Sequence, residues 1–148
     1  MMLSVLTLGL SLLTLSSAAP VSLLPRATCY GGVYVIGARG SEEAAGYGSV
    51  ASVVNGVLSA VPNSGAIALD YPASVLDPLY PESVTDGINT MISLIHNYVD
   101  SCGGKIALVG FSQGGNVVTD TLAGGVGKPT PISAHYASYS KLLFQQQL

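Results

Sequence analysis

Ser112 is the residue of this sequence whose surroundings most favour chemistry, in the stretch Gly110-Phe111-Ser112-Gln113-Gly114. The Gly-x-Ser-x-Gly pattern is typical of a nucleophile elbow, a tight turn from a strand into a helix that lifts a serine hydroxyl above a sheet edge. Because the chain contains 18 glycines, the pattern could also arise by chance around an ordinary turn serine. The neighbouring elements must therefore decide between the two interpretations.

Those neighbours favour a nucleophile. Residues 105–109 are apolar after one lysine, which is typical of a buried parallel strand, and residues 116–122 can form a helix. An acyl-transfer serine also needs an oxyanion hole, and the amide of Gln113 is one natural donor. Ser41, in the loop after the first predicted strand, is the best candidate for a second donor. The alternative for Arg39-Gly40-Ser41-Glu42 is a plain solvated turn.

The rest of the pattern predicts the elements that position these residues. Residues 33–38 and 66–70 are short apolar runs, as expected for strands. Residues 48–61 carry apolar side chains at a 3.6-residue spacing, which predicts a helix with one buried face. A longer helix is predicted to begin at Ser83, with a Ser-x-x-Asp capping signal, and to end at Cys102. This alternation predicts an α/β fold with a parallel sheet.

The end of the sequence has no comparable pattern. Residues 124–131 read as a loop, and residues 139–148 fit neither a strand nor a well-capped helix. At 148 residues the chain is long enough for one core only. We divide it into a signal peptide (1–19), a propeptide or N-terminal arm (20–28), a core (29–125) and an atypical C-terminal tail (126–148).

Residues 1–19 predict export. Their apolar run is too short to span a bilayer, and Ser17-Ala18-Ala19 suits a signal-peptidase site. The start carries no Lys or Arg, so an uncleaved membrane anchor is the alternative. Arg26 could mark a later propeptide cut. We expect a secreted, extracellular protein without stable membrane association after signal removal, acting as a monomer.

Composition and cysteine content narrow the function classes. A net charge of −3 and a pI near 5.0 give nucleic acid no electrostatic reason to bind. No cluster of His, Cys and carboxylates has metal-ligand spacing, so we expect no metal. Cys29 and Cys102 are the only cysteines, and an oxidising compartment favours joining them. Two buried free thiols are the alternative.

Several stretches together resemble the fungal cutinase and acetylxylan esterase family. They are Gly37–Ser41, Gly46–Gly48, Val54–Leu58, Asp70–Ala73 and Lys105–Gly115. The resemblance covers residues 29–125 and implies a small three-layer α/β-hydrolase fold and a Ser-His-Asp triad without a cofactor. It also implies Ser112 as the nucleophile, Ser41 and Gln113 as oxyanion donors, and a Cys29–Cys102 disulfide.

The sequence departs from that family after Ser112. In the family, the catalytic Asp and His follow the nucleophile by more than about fifty residues. Here the only later candidates are Asp120 and His135, which are better explained as surface or loop residues because a triad demands a different geometry. His96 lies inside the long helix. We therefore expect the family's last strands to be missing, with an exposed apolar edge on the third strand.

These observations leave three functions open. The leading prediction is a secreted serine carboxylic-ester hydrolase that deacetylates xylan or cleaves related polymer esters, impaired by the loss of Asp and His. A cutinase acting on cutin or longer-chain esters is the alternative within enzymes. The third is a catalytically inactive secreted fragment, including a chain that never folds.

Overall fold

The computed structural model describes residues 27–144, with side chains as far as Lys141. The predicted signal peptide and most of the propeptide or N-terminal arm lie outside the described residues. The strands are β1 (Val33–Ala38), β2 (Gly65–Ala68), β3 (Lys105–Gly110) and β4 (Ser140–Phe144). The helices are α1 (Ala51–Ala60, preceded by a 3-10 turn at Gly48–Val50), α2 (Tyr80–Cys102), α3 (Gln113–Ala123) and α4 (Ala134–Ala137).

The four strands form one parallel sheet in the order β2-β1-β3-β4. Successive residues of β1 point to opposite faces, as a strand requires. Tyr34 and Ile36 pack with α2 and α3 in the larger core, whereas Val35 packs with Val50 and Val54 on the α1 side. The helices thus cover both faces, and the predicted α/β fold with a parallel sheet is confirmed.

Two expectations are wrong. β3 is not an exposed edge, because β4 pairs along it from Ile106↔Ser140 to Gly110↔Phe144. The expectation that residues 139–148 contain no strand fails for the same reason at 140–144. The five residues of β4 have no recognisable hydrophobic period. They form a strand because they hydrogen-bond to β3, and the local sequence does not reveal that partner.

The start of α2 also differs from the prediction. The helix begins at Tyr80, with Pro81 in its first turn, where proline is tolerated because the amide needs no intrahelical partner. Ser83 is therefore inside the helix and fully buried. Its hydroxyl bonds elsewhere instead of capping the helix. The helix ends as predicted, with Gly103 in the left-handed conformation.

Candidate active site

Ser112 occupies a strained turn between β3 and α3. Its backbone has φ 50° and ψ −116°, a combination that is rare for a residue with a side chain. Such strain costs about 1–3 kcal/mol and persists only where the surrounding structure enforces it. The side chain is exposed, so the turn presents the hydroxyl to solvent beyond the carboxyl end of β3.

Two glycines make this turn sterically feasible. A Cβ on Gly114 would lie 2.2 Å from the carbonyl oxygen of Ala38, and one on Gly110 would lie 2.4 Å from the carbonyl oxygen of Gly114. The elbow therefore packs backbone against backbone, between the ends of β1 and β3. This is the physical reason for glycine at both ends of the motif.

Gln113 is the first residue of α3. The first amides of a helix have no intrahelical partner, and the helix dipole places partial positive charge there. The Gln113 amide is thus suited to bind developing negative charge beside the Ser112 hydroxyl.

The Gln113 side chain reaches the Ser41 loop. It is fully buried, and its Nε2 donates to the Ser41 hydroxyl at 3.3 Å and to the Ser74 carbonyl at 2.8 Å. Its Oε1 accepts from the Ser83 hydroxyl at 2.9 Å. The structure thus brings Ser41 into contact with the side chain of Gln113, the residue that follows Ser112.

Arg39 fixes the loop that carries Ser41. Its guanidinium is buried and donates to the carbonyls of Leu69, Tyr71 and Pro72 at 3.3, 2.6 and 3.2 Å, and to that of Glu43 at 2.9 Å. Burial raises the pKa of the Tyr71 phenol, so it stays protonated and donates to the Arg39 carbonyl at 2.6 Å. These bonds join the loops after β1 and β2.

Glu43 closes the same loop. Its carboxylate accepts from the amide of Gly40 at 2.5 Å and from the amide and hydroxyl of Ser49 at 2.9 and 2.5 Å. Burial alone would raise the pKa of Glu43, but the bonds from Ser49 and Gly40 and the charge of Arg39 outweigh it and lower the pKa. Ser41 therefore lies within a turn that is held at both ends, not in a loose solvated loop.

Both histidines lie at the opposite edge of the sheet. The His96 ring is 4.1 Å from that of Tyr136, and the His135 ring is 5.0 Å from it. Tyr136 precedes β4, whose Ser140 pairs with the start of β3, whereas Ser112 follows the end of β3. At about 3.3 Å per residue, the length of β3 separates them by roughly 15–20 Å.

Asp120 lies two turns along α3 from Ser112, beside Gly125. Like His96 and His135, it is placed away from the Ser112 turn.

The sequence did not single out Ser83 and Ser74 as parts of the site. Ser83 carried a signal nevertheless, because it falls on the buried face of α2 in register with Gly87 and Met91. A polar side chain on such a face needs a buried partner. Ser74 acts mainly through its backbone, for which the sequence has no signal.

An apolar rim borders the site, defined by Val75, Leu76 and Leu79. Their side chains are 40%, 80% and 54% exposed. They follow Ser74, which contacts Gln113, so the rim lies close to the elbow.

Away from the site, a disulfide joins Cys29 to Cys102, with Cα atoms 5.4 Å apart. Within residues 27–144, no group of three or more His, Cys, Asp or Glu side chains could hold a metal ion. In the same residues, no helix combines the length and apolarity needed to cross a bilayer.

A strained serine elbow at the carboxyl edge of a parallel sheet is the arrangement of the α/β-hydrolase class. The family model for cutinase matches residues 29–142, and the chain belongs to the cutinase family. That match extends into the segment predicted to be an atypical tail.

Similarity to individual proteins agrees with this assignment. The chain is 41% identical over 122 residues to acetylxylan esterase 2 of Talaromyces purpureogenus, covering 78% of this chain and 52% of that protein. It is 36% identical over 125 residues to cutinase 11 of Verticillium dahliae, covering 80% and 42%. The catalytic core domain of acetyl xylan esterase from Trichoderma reesei has a TM-score of 0.72 and 34% identity, covering 79% of this chain and 63% of that one. The chain spans about half the length of the curated relatives it matches.

Proposed function

We propose that this protein is a secreted serine carboxylic-ester hydrolase in which Ser112 forms the acyl-enzyme. The observation that carries the proposal is the exposed Ser112 hydroxyl on a strained backbone at the β3–α3 junction. Ser112 Oγ attacks the ester carbonyl carbon, its proton passes to a general base, and the base returns that proton to the departing alcohol oxygen as the ester C–O bond breaks. Water then hydrolyses acyl-Ser112, which releases the acid and regenerates the serine.

The oxyanion of each tetrahedral intermediate is stabilised by the amide of Gln113 and by Ser41. Donors aimed at a developing charge are worth about 10²- to 10³-fold in rate each. Their pairing is supported by the contact between Ser41 and the Gln113 side chain. No cofactor takes part in this reaction.

We further propose that the chain as it stands reacts slowly. Its two histidines lie at the far edge of the sheet, and Asp120 lies along α3, so none of them can accept the Ser112 proton. An oxyanion hole without a base leaves roughly a 10³-fold acceleration over water. A catalytically inactive fragment is the limiting case of this proposal.

For the substrate, we propose acetyl groups on xylan, because relatives of both 41% and 37% identity are acetylxylan esterases.

Cutin or another longer-chain ester is the second candidate. The exposed apolar rim favours it, since Val75, Leu76 and Leu79 could contact an acyl chain. Comparing rates for p-nitrophenyl acetate and p-nitrophenyl octanoate, with and without Leu76→Ser, separates the two candidates. A loss confined to the octanoate would favour the longer-chain ester.

The Cys29–Cys102 disulfide supports secretion, since such bonds persist in oxidising compartments. The proposed partner is a polymeric or small ester, bound by a monomer. No nucleic acid and no stable membrane contact are part of the proposal. Expression with residues 1–19 in a fungal host, followed by analysis of the medium and the N-terminus, tests export.

The nucleophile is tested by supplying a general base from solution. p-Nitrophenolate release from p-nitrophenyl acetate is measured with and without imidazole, for the unchanged protein and for Ser112→Ala. Imidazole itself cleaves p-nitrophenyl acetate, so the rate with imidazole and no protein is subtracted. We then expect slow hydrolysis without imidazole and a saturable acceleration with it in the unchanged protein only. Mass spectrometry should then find an acetyl group on Ser112. Ser59→Ala, which removes an exposed hydroxyl from α1, is the matched control and should respond like the unchanged protein.

Two results would contradict the proposal in different ways. An equal imidazole response in Ser112→Ala rejects Ser112 as the nucleophile. Fast hydrolysis without imidazole that Ser112→Ala abolishes keeps the nucleophile and rejects the slow reaction.

A further inference from the structure

Behind the elbow, hydrogen bonds join three segments that are distant in sequence: Ser83 on α2, Gln113 at the start of α3, and Ser74 in the loop after β2. The Ser83 and Gln113 side chains are fully buried. Buried polar side chains need complete hydrogen-bonding, so the geometry of this set is tightly constrained.

The direction of each bond follows from the chemistry of the groups. The Ser74 amide can only donate, so the Ser83 Oγ accepts from it at 3.1 Å. The Ser83 proton is then available for the Oε1 of Gln113 at 2.9 Å. The Ser74 carbonyl can only accept, and at 2.8 Å it fixes which end of the carboxamide is nitrogen.

The second Nε2 proton of Gln113 points to the Ser41 hydroxyl at 3.3 Å. Because the Ser41 Oγ accepts this bond, the proton of Ser41 remains available for another acceptor. The ester oxygen that becomes negative during acyl transfer is such an acceptor.

We propose that Ser83 is a positioning residue, which holds the Gln113 carboxamide in the orientation that makes Ser41 a donor to the oxyanion. The inference rests on the role of Ser41 in the proposed function. Without the Ser83 hydroxyl, the buried Oε1 loses its donor and the carboxamide is held by fewer bonds. The contact with Ser41 is the longest of its three side-chain bonds and is the first to be lost.

The orientation itself is tested without catalysis. Solvent exchange of the Gln113 Nε2 protons is measured by NMR in the unchanged protein, in Ser83→Ala and in Thr121→Val. Thr121 is also fully buried, and its hydroxyl bonds to the Val117 carbonyl, away from the site. We expect exchange to rise about tenfold or more in Ser83→Ala and to stay unchanged in Thr121→Val, although both variants lose stability.

The consequence for the reaction is tested with imidazole present. We expect acylation by p-nitrophenyl acetate to fall about a hundredfold in Ser41→Ala and about tenfold in Ser83→Ala. The double variant should be no slower than Ser41→Ala, because Ser83 acts through Ser41. The preference for the ester over its thionoester, which depends on oxyanion hydrogen bonds, should shrink in both single variants and not in Thr121→Val.

Equal exchange in Ser83→Ala and Thr121→Val, or additive rate losses in the double variant, would overturn the inference. Failure of the proposed function has a different signature: the unchanged protein and Ser112→Ala would react alike with imidazole. The exchange measurement still decides the role of Ser83 in that case.

Discussion

At the carboxyl edge of the sheet, where β1 and β3 end, the side chains of Arg39 and Gln113 donate directional hydrogen bonds to backbone carbonyls, and the Glu43 carboxylate accepts one from a backbone amide. At the amino edge, the Tyr30 and Val33 amides donate to the Tyr98 and Ser64 hydroxyls, but the contacts also include stacked rings and a disulfide. The Tyr34 and Tyr98 ring centroids are 4.4 Å apart, and Cys29 joins Cys102. Ring packing tolerates small rotations, whereas hydrogen bonds fix orientation. The difference indicates that one edge is built for stability and the other for the placement of donors.

Removing the disulfide should give the largest loss of stability and leave the site intact. The bond closes a loop with a sequence separation of 73 residues, so Cys29→Ala with Cys102→Ala should cost about 4 kcal/mol in the chain-entropy model. Chemical denaturation of the oxidised protein and of the double variant measures this. Under native conditions, Gln113 side-chain exchange should not change. A change there would mean that the two edges are coupled.

Gly114→Ala should give the second-largest loss of stability and should also damage the site. The new Cβ would lie 2.2 Å from one backbone atom and 2.6 Å from two others, so we expect a loss of about 3 kcal/mol and a displaced elbow. Gly115→Ala is the matched control, because its nearest neighbour would be 3.9 Å away. It should be neutral or slightly stabilising, since alanine favours helix. Equal thermal midpoints for the two variants would contradict the tight elbow.

Arg39→Met should give the third-largest loss of unfolding free energy, about 2–3 kcal/mol, because buried carbonyls lose their hydrogen-bond donor. Lys128→Met is the comparison: its ammonium also donates to a carbonyl, that of Pro81 at 2.7 Å, but on the exposed surface. It should cost less than about 1 kcal/mol. Urea unfolding of both variants tests whether burial, not charge, makes Arg39 important.

The smallest effect should be the pH dependence from Glu43. Its folded pKa is lowered, so ionised Glu43 stabilises the fold above its unfolded pKa, and this contribution is lost as pH falls through the folded pKa. Because the group is near the surface, we expect less than about 1 kcal/mol. The stability difference between the protein and Glu43→Gln should be present near pH 6 and shrink toward about pH 3. A difference that is constant with pH would assign the effect to packing.

Much of the fold could be read from local patterns. β1 was predicted with its observed bounds, β3 within one residue, and the end of α2 correctly. Each has a continuous apolar run, a 3.6-residue period or a terminal glycine, so its own residues carry the signal. β4 has no such signal, and its strand depends on hydrogen bonds with β3.

The site divides in the same way. The sequence by itself determined that Ser112 lies on an elbow, because the two glycines and the apolar run are adjacent to it. Only the tertiary structure decided that Ser83 holds Gln113, that Arg39 is buried among carbonyls, and that both histidines lie at the other edge. Those facts depend on contacts between residues 30 or more positions apart, and no local pattern encodes the partner at the far end of such a contact.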